Sequence, residues 1–109
     1  MPTRLTTHVL DTAAGSPAEG VRIQLFGVEQ LLTEASTNSD GRCDEPLLEN
    51  VPERGEYSLR FHIGDFFRRR GVPSPFLDVV RVDFQMEASE SYHVPLICSP
   101  WSYTTYRGS

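Results

Sequence analysis

The sequence predicts an all-β fold: an antiparallel sandwich or barrel of seven or eight short strands with one short helix. Three observations carry this. Apolar and polar residues alternate with a period of two in several separate stretches. Segments bearing glycine or proline break the chain between those stretches at short intervals. Only residues 65–70 carry helix signals, and they fall between two late strands.

The elements follow in order. Residues 4–11 are rich in Thr, Val and Leu and read as a first strand. Gly15, Pro17 and Gly20 mark residues 13–20 as a loop. Residues 21–28 alternate, with Val21, Ile23 and Leu25 on one face and Arg22 and Gln24 on the other. Residues 30–37 form a weaker strand. Asn38, Ser39, Asp40 and Gly41 form a turn in which Gly41 is able to take a positive φ. Residues 46–51 lead to a second turn at 52–55. The clearest strand is 56–63: Tyr57, Leu59, Phe61 and Ile63 share one face, Ser58, Arg60 and His62 the other.

In the helix at 65–70, Asp65 is placed to cap the start, Arg68, Arg69 and Arg70 favour the end, and Gly71 closes it. Pro73 and Pro75 stop it from continuing. Residues 79–86 alternate again, with Val80, Val82, Phe84 and Met86 inward. Residues 91–98 place Tyr92, Val94, Leu96 and Cys98 on one face, and a last short strand spans 102–107. No repeat, low-complexity tract or linker interrupts the pattern, so residues 1–109 read as one domain.

Composition narrows the function. The 109 residues hold 10 basic and 15 acidic side chains, a net charge of −5, and 39% are hydrophobic. That balance suits a globular protein and argues against a nucleic-acid binder, which needs a basic field. No stretch approaches the roughly 20 apolar residues that span a bilayer. No apolar run with a cleavage site stands near the start, so a cytoplasmic location is expected. All basic residues are arginine, which removes lysine Schiff-base and P-loop chemistry. Cys43 and Cys98 are expected to be free thiols, and no Cys or His spacing supports a metal site.

Histidine is the first candidate for proton transfer near neutral pH. His62 and His93 each lie opposite an apolar stripe and so face outward, and alternation alone does not separate them. His8 shares a face with Arg4, Thr6 and Leu10. The default for each is a strand histidine facing solvent. Arg42 and Arg107 are candidate clamps for an anion or a developing oxyanion, and by default surface residues. No G-x-S-x-G elbow supports a serine nucleophile. Asp44 and Glu45 beside Cys43 raise rather than lower its thiol pKa. The last residues, with Tyr103, Tyr106 and Arg107, are unusually rich for a chain end and are expected to be tied down.

Three blocks carry a resemblance. The first is Leu5-Thr6-Thr7-His8-Val9-Leu10-Asp11-Thr12-Ala13, continuing through Gly15, Pro17-Ala18 and Gly20-Val21. The second is Thr37-Asn38-Ser39-Asp40-Gly41-Arg42. The third is Tyr92-His93-Val94-Pro95-Leu96, then Ser99-Pro100, Tyr103 and Tyr106-Arg107-Gly108-Ser109. With these blocks the chain resembles the 5-hydroxyisourate hydrolases, the transthyretin-related enzymes of urate breakdown. The terminal tetrapeptide looks like the signature that separates those hydrolases from the hormone-carrying transthyretins.

The resemblance implies a transthyretin-like two-sheet antiparallel sandwich of about eight strands. It implies His8, Arg42 and His93 as catalytic positions, with His62 outside the set. It implies Tyr106, Arg107, Gly108 and Ser109 as the segment against the substrate, 5-hydroxyisourate. It also implies a homotetramer, a dimer of dimers, with active sites in the cleft between dimers, and no metal or organic cofactor. A histidine takes a proton from water, arginine holds the ring and the oxyanion, and the order of the two imidazoles stays open, His8 being placed nearer the water. The alternative on the same fold is a non-catalytic small-ligand carrier. Leu77-Asp78, Ile97-Cys98 and Trp101-Ser102 depart from the family pattern and bear on local packing and subunit contacts.

Overall fold

The computed structural model describes residues 3–28, 30–50 and 54–108. Strands β1 (Arg4–Asp11), β2 (Ser16–Pro17), β3 (Arg22–Phe26), β4 (Leu31–Ser36), β5 (Leu48–Glu49) and β6 (Gly55–His62) come first. Helix α1 (Ile63–Arg69) follows, and then strands β7 (Val79–Met86), β8 (Tyr92–Cys98) and β9 (Tyr103–Thr105). They form two sheets. One has the order β2-β1-β8-β9, with β5 also on β1; the other runs β4-β3-β6-β7. The expected sandwich is therefore present. Its pairings are antiparallel except β1–β8, which is parallel over Leu5↔Tyr92 to Asp11↔Cys98. The turn expected at 52–55 and the end of the 46–51 stretch that leads to it lie partly outside the described residues.

The core is built by the predicted stripes. Leu5 and Val9 of β1, Ile23 and Leu25 of β3, Leu59 and Phe61 of β6, and Leu96 of β8 are fully buried. Each such side chain contributes about 1.5–3 kcal/mol on leaving water. Val80 and Met86 are buried as well, while Val82 and Phe84 of the same stripe are half-buried at the margin of the core. The outer face of β6 is less open than alternation implies. Ser58 is buried, and Arg60 and His62 are half-buried, because the Arg60 guanidinium lies 4.3 Å over the Phe26 ring and His62 bonds Gln24 at 2.8 Å.

The helix begins two residues before the predicted start. Asp65 is not its cap: His62 occupies the N-cap position without a side-chain bond. The Gly64 N–H is instead satisfied by the Asp78 carbonyl at 2.8 Å. Asp65 sits in the first turn and pairs with Arg69 at 3.4 Å. The tertiary carbonyl displaces the side-chain cap because Ile63, Phe66 and Phe67 pull the first turn into the core. Gly71, at φ +75°, closes the helix as expected.

The departures from the family pattern are accommodated locally. The Leu77 N–H bonds the Pro100 carbonyl at 3.2 Å, and Asp78 accepts a 2.8 Å bond from Arg68. Cys98 is buried, Ile97 half-buried and Trp101 exposed. No helix among the described residues is long and apolar enough to cross a membrane.

Two block residues serve the fold itself. The buried Thr7 hydroxyl donates to the Val94 carbonyl at 2.7 Å, stitching β1 to β8. The Asp11 carboxylate accepts from the N–H groups of Ala13 and Ala14 at 2.9 and 3.2 Å, forming the turn after β1.

Gly64→Ala tests the helix start. A Cβ at Gly64 would meet the Asp78 Cα at 2.8 Å, so the backbone must move. The expected loss is about 1–3 kcal/mol in chemical denaturation; an unchanged midpoint would show that this approach is not tight.

Candidate active site

β1 is central, and each of its edges brings a functional residue. On one edge the parallel register sets Thr6 opposite His93. On the other edge three short pieces complete the strand: β5 at Arg4 and Leu5, residue 42 at His8, and β2 at Leu10 and Asp11. His8, like Thr6, lies on the face of β1 that turns away from the core, and both are half-buried.

Arg42 is delivered by a built turn. The Asn38 side-chain oxygen accepts from the N–H groups of Asp40 and Arg42 at 2.9 and 3.2 Å. The Asn38 N–H bonds the Arg42 carbonyl at 2.7 Å, and the Gly41 carbonyl accepts from Val9 N–H at 2.8 Å. Gly41 sits at φ +76°, and a Cβ there would lie 2.4 Å from the Val9 carbonyl oxygen. Only glycine meets both conditions. The Arg42 guanidinium is exposed and forms no ion pair among the described residues.

His93 is half-buried on β8. Its Nδ1 lies 2.9 Å from the Thr6 hydroxyl oxygen. The chain end returns to it: Gly108 N–H bonds the His93 carbonyl at 2.7 Å, and a Cβ at Gly108 would meet the ring Cδ2 at 2.7 Å. Burial first, then the positive fields of Arg42 and His8, push the imidazole below its ordinary pKa of 6.5. His93 is therefore neutral at pH 7, as a base must be. Residue 42 pairs with His8 across one edge of β1, and His93 lies opposite Thr6, two residues along the same face, which brings the three residues to one side of the sheet.

His62 is on the other sheet, bonded to Gln24. Burial and Arg22 push its pKa down too, but it meets none of the three. The tail residues divide. Gly108 reaches the site. Tyr106 is exposed and, with Val82, Phe84, Tyr92 and Thr105, borders a separate apolar cavity of about 230 Å³. The Arg107 guanidinium stacks 4.2 Å over the Tyr92 ring, donates to the Ser91 carbonyl at 3.2 Å and stands 3.7 Å from Glu90. It is engaged away from Arg42. Ser109 lies outside the described residues.

The depression beside the site is shallow: about 120 Å³ between Thr6, Thr7, Arg42, Cys43 and Glu45. Ligand pockets usually run to about 300–1,000 Å³. A larger concavity of about 420 Å³ lies on the other sheet, around Ser58, Arg81 and Asp83, and has no histidine. Cys43 is half-buried, and burial ahead of the Asp44 charge raises its thiol pKa. Burial, then Asp11, pushes the Cys98 thiol up to about 12. Both cysteines are free and neither is activated. No group of three His, Cys, Asp or Glu side chains among the described residues is placed to hold a metal ion.

Sequence reasoning missed Thr6 and the wall formed by Gly108. Thr6 becomes visible only through the parallel register. Gly108 was legible as part of a terminal motif, not as the residue against the imidazole.

Comparison with known proteins gives the family and the fold. The pattern of the HIUase/Transthyretin family matches residues 5–108. The 5-hydroxyisourate hydrolase of Halalkalibacterium halodurans is 51% identical over 119 aligned positions, covering all of both chains. Among solved structures, (S)-allantoin synthase superposes with a TM-score of 0.93 at 41% identity. The match covers 99% of this chain and 44% of that one, so this chain spans less than half of the synthase. The Klebsiella pneumoniae 5-hydroxyisourate hydrolase gives a TM-score of 0.88 at 34% identity over 98% and 94% of the two chains. Sea bream transthyretin, solved with thyroxine, gives 0.88 at 24% identity over 96% and 94%, a likeness of fold alone.

Two outcomes are expected from NMR titration and denaturation. Arg42→Ala should raise the His93 pKa toward 6.5 and leave His62 unchanged; an unmoved His93 would show that the Arg42 charge is not felt there. His62 and His93 both bind protons less tightly folded than unfolded. Stability is therefore full above pH 6.5 and falls as pH drops from there through the folded values. In a His62→Gln, His93→Gln double variant this part of the pH slope should flatten.

Proposed function

The chain belongs to the HIUase/Transthyretin family, and we infer that it is a 5-hydroxyisourate hydrolase with His8, Arg42 and His93 as its catalytic set. The observation that carries this reading is the convergence of those three residues beside β1, in a chain about half identical to full-length relatives of that name. We assign Tyr106, Arg107, Gly108 and Ser109 to the substrate segment on the family resemblance; of the described tail residues, Gly108 lies against His93. The chain works as one domain in the cytoplasm.

The reaction opens the cyclic amide of 5-hydroxyisourate to 2-oxo-4-hydroxy-4-carboxy-5-ureidoimidazoline. Neutral His93, rather than the His8 expected nearer the water, accepts a proton from water as the water oxygen adds to the ring carbonyl. Its lowered pKa, caused by burial, Arg42 and His8, supports the base role. Arg42 holds the oxyanion that forms, having no competing ion pair among the described residues. When the C–N bond breaks, the imidazolium returns the proton to the leaving nitrogen. His8, beside Arg42 on β1, orients water or ring. The scheme calls for no metal and no organic cofactor.

The enzyme acts as a homotetramer, a dimer of dimers. The small depression of about 120 Å³ supports this, being well below the roughly 300 Å³ at which ligand pockets usually begin. A second subunit across the outer face of β1 and β8 supplies the missing wall.

A coupled assay tests the function. Urate oxidase generates 5-hydroxyisourate in the cuvette, and its decay should accelerate in proportion to added protein. His93→Ala and Arg42→Ala should each cost about 10²-fold or more in kcat with the sandwich intact. Decay at the buffer rate, with folded protein of tetrameric mass in light scattering, would turn the reading to a small-ligand carrier. A monomer with full activity would remove the shared cleft.

A further inference from the structure

We propose that Thr6 is a positioning residue for His93, holding its Nδ1 so that Nε2 alone exchanges the proton. This rests on the reading of His93 as the base. The side chain was assigned no role by the family motifs, yet its hydroxyl oxygen is the one polar partner of the His93 ring among the described residues, at 2.9 Å.

The geometry is specific. The parallel register places Thr6 directly opposite His93, so the bond spans adjacent strands of one sheet and needs no flexible reach. Gly108 closes the opposite edge of the ring, at Cδ2 and Cγ. The imidazole is held along two edges, and Nε2 is left without a partner among the described residues. The charged groups acting on it are Arg42 of the glycine turn and His8 of β1.

A hydroxyl suits this place for a chemical reason. A base that takes a proton at Nε2 carries a hydrogen on Nδ1 both before and after the transfer. In the imidazolium both ring nitrogens are donors. The Thr6 oxygen accepts from Nδ1–H in either state, so nothing reorganises as the proton moves. A carboxylate there would raise the His93 pKa and oppose the effect of burial and Arg42. A hydroxyl that accepts from Nδ1–H holds the imidazolium without adding a charge and leaves that effect in place.

Thr6→Val keeps the β-branch and volume and removes the acceptor. The expected result is a roughly tenfold fall in kcat with KM little changed, the size of one orienting hydrogen bond. The acid limb of the kcat/KM profile should move to lower pH, because the imidazolium loses its acceptor. Thr6→Ser should restore both. In ¹⁵N-histidine spectra above its titration, wild-type His93 should carry its proton on Nδ1, and Thr6→Val should show a mixture. Wild-type kcat and an unmoved acid limb in Thr6→Val, or a wild-type His93 protonated on Nε2, would overturn the proposal. His93→Ala separates the two levels. If it is inactive while Thr6→Val is normal, only the positioning role fails; if His93→Ala retains full rate, the base assignment fails with it.

Discussion

The parallel pairing of β1 with β8 is the constraint on which the rest depends. Parallel neighbours need a long crossover, and here it runs from β2 to β7 and includes helix α1, with β3, β4, β6 and β7 making the second sheet. The pair therefore joins the two sheets topologically as well as forming the middle of its own. It also sets the alternation of both strands at once. Leu5, Val9, Tyr92, Val94 and Leu96 turn inward, while Thr6, His8 and His93 turn out. A slip of one residue would exchange those sets and lose core and site together. The buried Thr7 bond to the Val94 carbonyl secures that register with a side chain.

Around this pair the polar residues are arranged by backbone rather than by long side chains. The free edge of β1 is covered by three short segments instead of a full strand, which protects it from pairing elsewhere. The middle segment carries Arg42, and its turn is held by the Asn38 side chain and a positive-φ glycine. The third support is the chain end, whose Gly108 reaches His93 because it has no side chain. The cationic guanidinium and the two imidazoles then share one face, and burial first, then the positive fields of Arg42 and His8, lower the His93 pKa. Repulsion that weakens folding at low pH is the same property that fits the group for proton transfer.

Much of this was legible in the chain itself. Period-two stripes located β1, β6, β7 and β8 to within a residue, since burying one face of a strand leaves a strong compositional trace. Gly41 announced its turn, because few other residues tolerate that backbone. The helix start was misplaced for the opposite reason. Asp65 looked like a cap, but the Asp78 carbonyl, distant in sequence, took the Gly64 N–H. The outer face of β6 was also read as open, whereas Arg60 folds back over Phe26. Arg107 was read with Arg42 as a candidate anion clamp, yet its guanidinium rests on Tyr92 beside Glu90 and Ser91.

By itself the sequence determined the fold class, the core stripes, the exclusion of lysine and nucleic-acid chemistry, and, through its motifs, the names of the catalytic candidates. These depend on local periodicity and residue type, which a linear reading carries in full. Only the tertiary structure decided that His8 and His93 share a face of one sheet while His62 lies on the other. It alone decided that Arg42 joins them through a strand edge, that Gly108 forms a wall and that Thr6 meets Nδ1. Alternation reports which side of its own strand a residue takes, not which strand lies beside it. That neighbour is chosen by the crossover and the burial of both sheets, and it is where the chemistry is assembled.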